Sequence, residues 1–425
     1  MKTRLAFLPL TILTMIACQG NSEIIKAANS SWVMGYYVGY LANRQPIEAI
    51  DWGGLTHLAV GIVLPKNDGS LDMGSAFDAT KRAQIIQNGH AKGRKVLAMI
   101  GGENTGPQWL EASSKNRANF ISSLKKLVTN EGFDGLDLDW EPLETVQQPE
   151  LLSLTKELRA ALPNAILTFP ADGADNANFP ADRKFFAQLA PYVDQINAMT
   201  YGMSGAYDGW KTWHSSPLYP SGDSAAPTSI ELTVNGYLKA GVPAAKLGIG
   251  IGFYGQCYSA PATKPLEDTI GRNPNGAKII AGDNDLSYAN IVRQYEPLGT
   301  KNWDATARVP YLSFPLPNGV KGCTYLTYEN EQSILEKAKF VKDKGLGARL
   351  FGTSTKATSL VQHLPILCWM RHDAASWNVH KNLIHFEVWY ETICNLNSMS
   401  GIVRVSSQHA HPRCWNISQN SQGQF

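Results

Sequence analysis

The stretch Phe133-Asp134-Gly135-Leu136-Asp137-Leu138-Asp139-Trp140-Glu141 decides the fold. In a strand, alternate side chains share a face. Asp137, Asp139 and Glu141 therefore point one way, and Leu136, Leu138 and Trp140 the other. Neighbours on one face stand roughly 6.6 Å apart, given a rise of about 3.3 Å per residue. Like charges that close raise one another's pKa, and burial raises it further, so at least one of the three acids is expected to keep its proton near neutral pH. A general acid needs such a proton to protonate a leaving oxygen. Two other readings stay open here, a solvated strand face and a ligand set for a divalent cation. No His or Asn joins the cluster locally.

Outward from this strand, short apolar runs alternate with amphipathic stretches. Strands are predicted at Trp32–Tyr40, Leu55–Leu64, Lys95–Gly101, Gly132–Trp140, Ala165–Pro170, Gln195–Tyr201 and Lys246–Phe253. Helices are predicted at Lys81–Lys92, Arg117–Asn130, Pro149–Leu162, Arg183–Leu189, Ile230–Ala240 and Glu331–Lys344. Such alternation implies parallel strands joined by right-handed crossovers. The expected fold is α/β, a (β/α)8 TIM barrel with one strand unaccounted for; an open doubly wound sheet is the alternative. The acids then lie at the C-terminal end of the fourth strand, where barrel active sites sit. No GxGxxG or GxxxxGK(S/T) cradle follows any strand, which weighs against a nucleotide site. Residues 256–330 break the rhythm and read as a small α+β insertion between strand 7 and helix 7. Cys257 and Cys323 flank it; in an oxidising compartment they are candidates to pair, and the sequence leaves connectivity open.

Of the 425 residues, 44% are hydrophobic and 17% charged, enough for a sizeable core and against a disordered chain. Lys and Arg total 38 against 36 Asp and Glu, so no basic field points to nucleic acid. Lys2 and Arg4 precede the apolar run Leu5–Ala17, which reads as an export signal over residues 1–18, too short for a membrane span. Met15-Ile16-Ala17-Cys18 resembles a lipoprotein cleavage box, so the protein is expected to be exported and either secreted or anchored through Cys18 to a bacterial outer membrane. Residues 19–31 read as a linker and 32–348 as the catalytic barrel. Six of the nine His and three of the six Cys lie beyond Arg349, at spacings that match no zinc pattern. An irregular tail is expected over 349–425.

Asp134-Gly135-Leu136-Asp137-Leu138-Asp139-Trp140-Glu141 matches in full the signature of the family 18 glycoside hydrolases, the chitinases and their relatives. Lys95-Val96-Leu97-Ala98-Met99-Ile100-Gly101-Gly102 resembles that family's third strand, Met199-Thr200-Tyr201 its sixth, Gly252-Phe253-Tyr254-Gly255 its seventh and Gly35-Tyr36-Tyr37 its first. The resemblance covers roughly residues 32–347. It implies retaining hydrolysis assisted by the substrate, an exception to the two-carboxylate scheme. On that resemblance Glu141 is the acid and then the base, Asp139 orients the acetamido group, Asp137 shares a proton with Asp139, and Tyr201 bonds the acetamido oxygen. Tyr36 supports the floor near Asp137, and Met199 lies in the same lining. Trp140 is expected to pack outward. Trp210 and Trp213, after strand six, are candidate sugar platforms. No cofactor or metal is implied, the expected partners are chitin or chito-oligosaccharides, and a monomer is expected.

Three positions depart from the family pattern. Met99 stands where a Ser often bonds the inner acids, and Gly202 follows Tyr201 where Asp or Asn is usual. Both changes are expected to alter pH dependence or rate. The third departure is Ala348-Arg349-Leu350-Phe351-Gly352-Thr353, which lacks the Trp that stacks under the sugar. Leu350 through Thr358 can be encoded by CUA UUU GGA ACA UCA ACC AAG GCU ACC. Read from its third base, that string spells Ile-Trp-Asn-Ile-Asn-Gln-Gly-Tyr, which resembles the family's eighth strand. Divergence and a single-base frame change near codon 349 both fit. The expected activity is that of a chitinase; the alternatives are an endo-β-N-acetylglucosaminidase and a non-catalytic chitin-binding lectin.

Overall fold

The computed structural model describes residues 32–39, 46–75, 77–173, 182–282 and 285–351. The expected export signal, the linker and the tail beyond Phe351 lie outside the described residues. Eight strands form the central sheet: Trp32–Val38, His57–Pro65, Lys95–Gly102, Gly135–Trp140, Ile166–Asp172, Gln195–Met199, Leu247–Ile251 and Ala348–Phe351. Each pairs in parallel with the next, and the first pairs with both the second and the eighth, so the sheet closes on itself. The strand that periodicity left unaccounted for is Ala348–Phe351. It registers Trp32 against Ala348 on one side and Gly248 against Ala348 on the other, and it runs past the boundary expected at residue 348.

Two layers of apolar packing follow from strand alternation. Leu136, Leu138 and Trp140 are buried in the shell between barrel and helices. Fully burying a Leu is worth about 1.5–3 kcal/mol, so this face holds the strand against its helices. Met34, Tyr36, Val38, Ala59, Leu97 and Met99 fill the bore. The helices obey the same logic. Ile230–Ala240 buries Ile230, Thr233, Val234 and Tyr237 along one stripe; the Ser229 side chain accepts the Leu232 amide at its start, and Gly241, at φ 102°, ends it. Glu331–Asp343 is capped reciprocally by Asn330 and Ser333, and its buried stripe carries Lys337 between Ile334 and Phe340. A helix at Gly106–Ser114, not expected from the sequence, buries Trp109 and Ala112.

The insertion is a five-stranded sheet in the order Ile279–Ala281, Gln256–Tyr258, Cys323–Thr327, Val309–Asn318, Thr300–Asp304. Helical turns at Tyr288–Asn290 and Ile291–Tyr295 complete it. Cys257 and Cys323 are bonded, with Cα atoms 5.6 Å apart. The bond closes a loop with a sequence separation of 66 residues, which removes about 4 kcal/mol of freedom from the unfolded chain.

Candidate active site

The three acids stand where strand alternation puts them. Asp137 is fully buried in the bore and Asp139 is 4% exposed. Glu141 follows the end of its strand and is half-buried. Asp137 Oδ2 accepts the Tyr36 hydroxyl at 2.9 Å, and Oδ1 accepts the Thr168 hydroxyl. The Asp139 carboxyl donates to Glu141. Its Oδ1 is buried and has no partner among the described residues. Burial pushes Asp137 up to about 6, against the pull of the Thr168 and Tyr36 hydroxyls. Burial, then the charges of Glu141 and Asp137, hold the Asp139 carboxyl well above the usual carboxylate range. Glu141 is also raised, first by burial and then by Glu103 and Asp172, while its bond to Asp139 opposes the rise. Two oxygens bonded to hydroxyls and a carboxyl bonded to its neighbour make a proton-sharing row rather than a cation cage.

The backbone under the row is fixed from outside the barrel. Trp109 Nε1 donates to the Asp139 carbonyl at 3.2 Å and its ring stacks on Trp140, centroids 5.3 Å apart. Gly101 makes this possible: it sits at φ 91°, and a Cβ there would stand 2.3 Å from both the Asp139 carbonyl oxygen and Trp109 Nε1. Tyr201 lies past its strand rather than in it, because Thr200 already turns and donates its amide to Ala198. Its ring meets Tyr254 edge-on at 6.1 Å. Gly250 admits that ring, since a Cβ would lie 2.6 Å from Tyr201 Cε1. Burial, then Tyr254 and the three acids, push the Tyr201 phenol well above its ordinary value, so it keeps its proton and is able to donate.

The match to the family model described as "Glycosyl hydrolases family 18" runs over residues 32–351. The chain belongs to that family. Endochitinase 1 of Metarhizium robertsii is 27% identical over 305 residues, 67% of each chain. Chitinase A1 of Niallia circulans is 31% identical over 288 residues, 60% of this chain and 40% of its own length. The fold resembles the Group IV chitinase of Ostrinia furnacalis in complex with allosamidin, with a TM-score of 0.66 at 22% identity over 77% of this chain and 93% of that one. It also resembles a mutant class V chitinase from Nicotiana tobaccum in complex with NAG4, with a TM-score of 0.61 at 22% identity over 77% and 94%. These structures share the barrel inferred from alternation.

Against the family pattern, the structure brings Asp137, Asp139, Glu141, Tyr36 and Tyr201 into one electrostatic group. Met199 ends its strand, half-buried, opposite Asp172. Met99 lines the bore, its methyl 3.6 Å from the point where a Gly102 Cβ would stand and Asp139 Oδ2 3.9 Å from it. Gly202 has φ 63°, a conformation that Asn and Asp also visit.

Trp213 is a correction. It is 1% exposed, packs with Ala226, Ala307 and Val309, and donates its indole N–H to the Thr228 carbonyl at 3.0 Å. A ring closed in that way offers no face to a sugar. Trp210 remains half-buried and meets Tyr207 edge-on at 5.0 Å. Tyr207, 62% exposed, is a surface aromatic that sequence reasoning passed over. It also missed Thr168, Tyr254, Glu103 and Asp172. The signal for Thr168 was a hydroxyl inside the otherwise apolar run Ile166–Ala171.

Proposed function

We propose that this family 18 protein is a chitinase, hydrolysing β-1,4-linked N-acetylglucosamine polymers with retention of configuration. The unpartnered, buried Asp139 Oδ1 carries this reading. Among the described residues it is an acceptor without a donor, on a carboxyl whose proton is shared with Glu141, and an acetamido N–H would fill it. Glu141 gives its proton to the glycosidic oxygen as the bond to the anomeric carbon breaks. The acetamido carbonyl oxygen bonds to that carbon, forming an oxazolinium ion. Tyr201 donates to the acetamido oxygen, and the Asp139 bond steadies the carboxylate left on Glu141. Water then attacks the anomeric carbon from the opened face while Glu141 takes its proton, and the bond from that carbon to the acetamido oxygen breaks, its electron pair restoring the neutral acetamido group. The names of the relatives support the substrate class. The five-stranded insertion follows the C-terminal end of the seventh barrel strand, the face on which barrel sites lie, which favours a polymer over an isolated glycoprotein glycan. The N-terminal segment fits export, where such a polymer is met.

The test is hydrolysis of fluorogenic N-acetylglucosamine oligomers by the parent protein beside Glu141→Gln. The parent is expected to cleave, and the variant to bind without cleaving. Binding without cleavage by both would favour the lectin reading.

A further inference from the structure

A second ionic site lies behind the barrel wall. Lys337 is fully buried and Glu329 is 2% exposed, and the two form an ion pair. Two charges withdrawn from water are costly, and a buried pair is poor evidence of stabilisation. A Lys on the apolar stripe of a helix therefore calls for another explanation. Its neighbours supply one. Lys337 Nζ donates to Ser216 Oγ at 2.9 Å, and Ser216 Oγ donates to the Thr200 carbonyl at 2.5 Å. Glu329 Oε2 accepts the Ser333 hydroxyl at 2.6 Å. An ammonium only donates, so Ser216 must accept with a lone pair and aim its single proton at Thr200. Thr200 is held from the other side as well: its hydroxyl donates to the Gly250 carbonyl at 2.8 Å and accepts the Gly250 amide at 3.0 Å. Two residues on, Gly202 donates its amide to Ser215 Oγ at 3.2 Å. The residue between Thr200 and Gly202 is Tyr201.

We propose that the buried Lys337–Glu329 pair is a positioning device for Tyr201, acting through the Ser216 hydroxyl and the Thr200 carbonyl. The inference rests on the reading of Tyr201 as the donor to the acetamido oxygen. Lys337 touches no substrate. It fixes one hydroxyl rotor, the rotor fixes one peptide plane, and that plane aims the phenol. A shift of about 1 Å at a catalytic group costs up to roughly a hundredfold in rate.

The test is a double-mutant cycle on the full chain. Lys337→Met/Glu329→Gln removes both charges together, leaving no unpaired buried ion, and Ser216→Ala breaks the same relay should the paired variant fold poorly. Each is made with Tyr201 intact and with Tyr201→Phe, and kcat, KM and the melting temperature are measured. With Tyr201 present, either change is expected to lower kcat about tenfold or more, with KM little altered. With Phe at that position neither is expected to lower it further. Equal losses in both backgrounds, or no loss in either, overturn the proposal while leaving the chitinase reading intact. A Tyr201→Phe variant with unchanged kcat removes the reading of Tyr201 itself and the proposal with it.

Discussion

The Tyr36 hydroxyl, on the first barrel strand, donates to Asp137 Oδ2, on the fourth, across 2.9 Å of the barrel bore. On the opposite carboxylate oxygen, Thr168 of the fifth strand does the same. The innermost acid is thus clamped between two hydroxyls that favour its charge, in a bore that disfavours it. Burial wins and the carboxyl rises to about 6. A site that holds protons against water costs stability, and the cost has a definite pH window.

Asp139 titrates well above an unfolded carboxyl. A raised acid contributes stability that is present below the unfolded pKa, near 4, and is lost as pH rises through the folded value. Asp139→Asn keeps a donor toward Glu141 and cannot ionise. It is therefore expected to melt several degrees above the parent at pH 8, with the gap narrowing toward pH 4, while kcat falls at least a hundredfold. Thermal denaturation at both pH values checks the sign. A gap that widens on acidification would contradict it.

Met99 contributes apolar lining where the family pattern has a hydroxyl. Met99→Ser adds a donor near the inner acids, and a hydrogen bond to a carboxylate lowers its pKa. The acid limb of the kcat/KM profile is expected to move to lower pH. Loss of the buried thioether is expected to cost about 2–4 kcal/mol. A limb that stays in place in pH–rate measurements shows that the new hydroxyl does not reach the row.

Trp213 and Tyr207 should separate cleanly. Trp213→Ala empties a closed packing site and is expected to cost about 3–5 kcal/mol of stability, with no selective change of KM. Tyr207→Ala leaves stability within about 0.5 kcal/mol, as surface changes do, and is expected to weaken binding of long oligomers more than of short ones. Melting curves and KM across an oligomer series distinguish the two.

Much of this molecule was legible in its sequence because two periodicities dominate it. Leu136, Leu138 and Trp140 against Asp137, Asp139 and Glu141 fixed both the outer core and the row of acids. Periodicity did not show the eighth strand; only the family resemblance placed it at residues 348–353. Ala348–Phe351 is four residues long and sits where the composition changes, too short for alternation to register. The Gly106–Ser114 helix begins Gly-Pro and reads as a loop, although its Trp109 holds the Asp139 backbone. Trp213 shows a different limit. Chain position placed it in the right loop, yet only tertiary packing decides which face of an indole is open. Lys337 gave a signal that was not used, a cation between Ile334 and Phe340 on the buried stripe of its helix.

Closure of the sheet has a consequence for synthesis. The first strand hydrogen-bonds to the second and to the last, Trp32 lying beside Ala348. If folding begins before the chain is complete, the first seven strands can form only an open sheet with two unpaired margins. Chain synthesis at roughly 5–20 residues per second leaves those margins bare for many seconds. In that case the ring lacks its last stave until residue 351 has cleared the exit tunnel, and only then can both margins be covered.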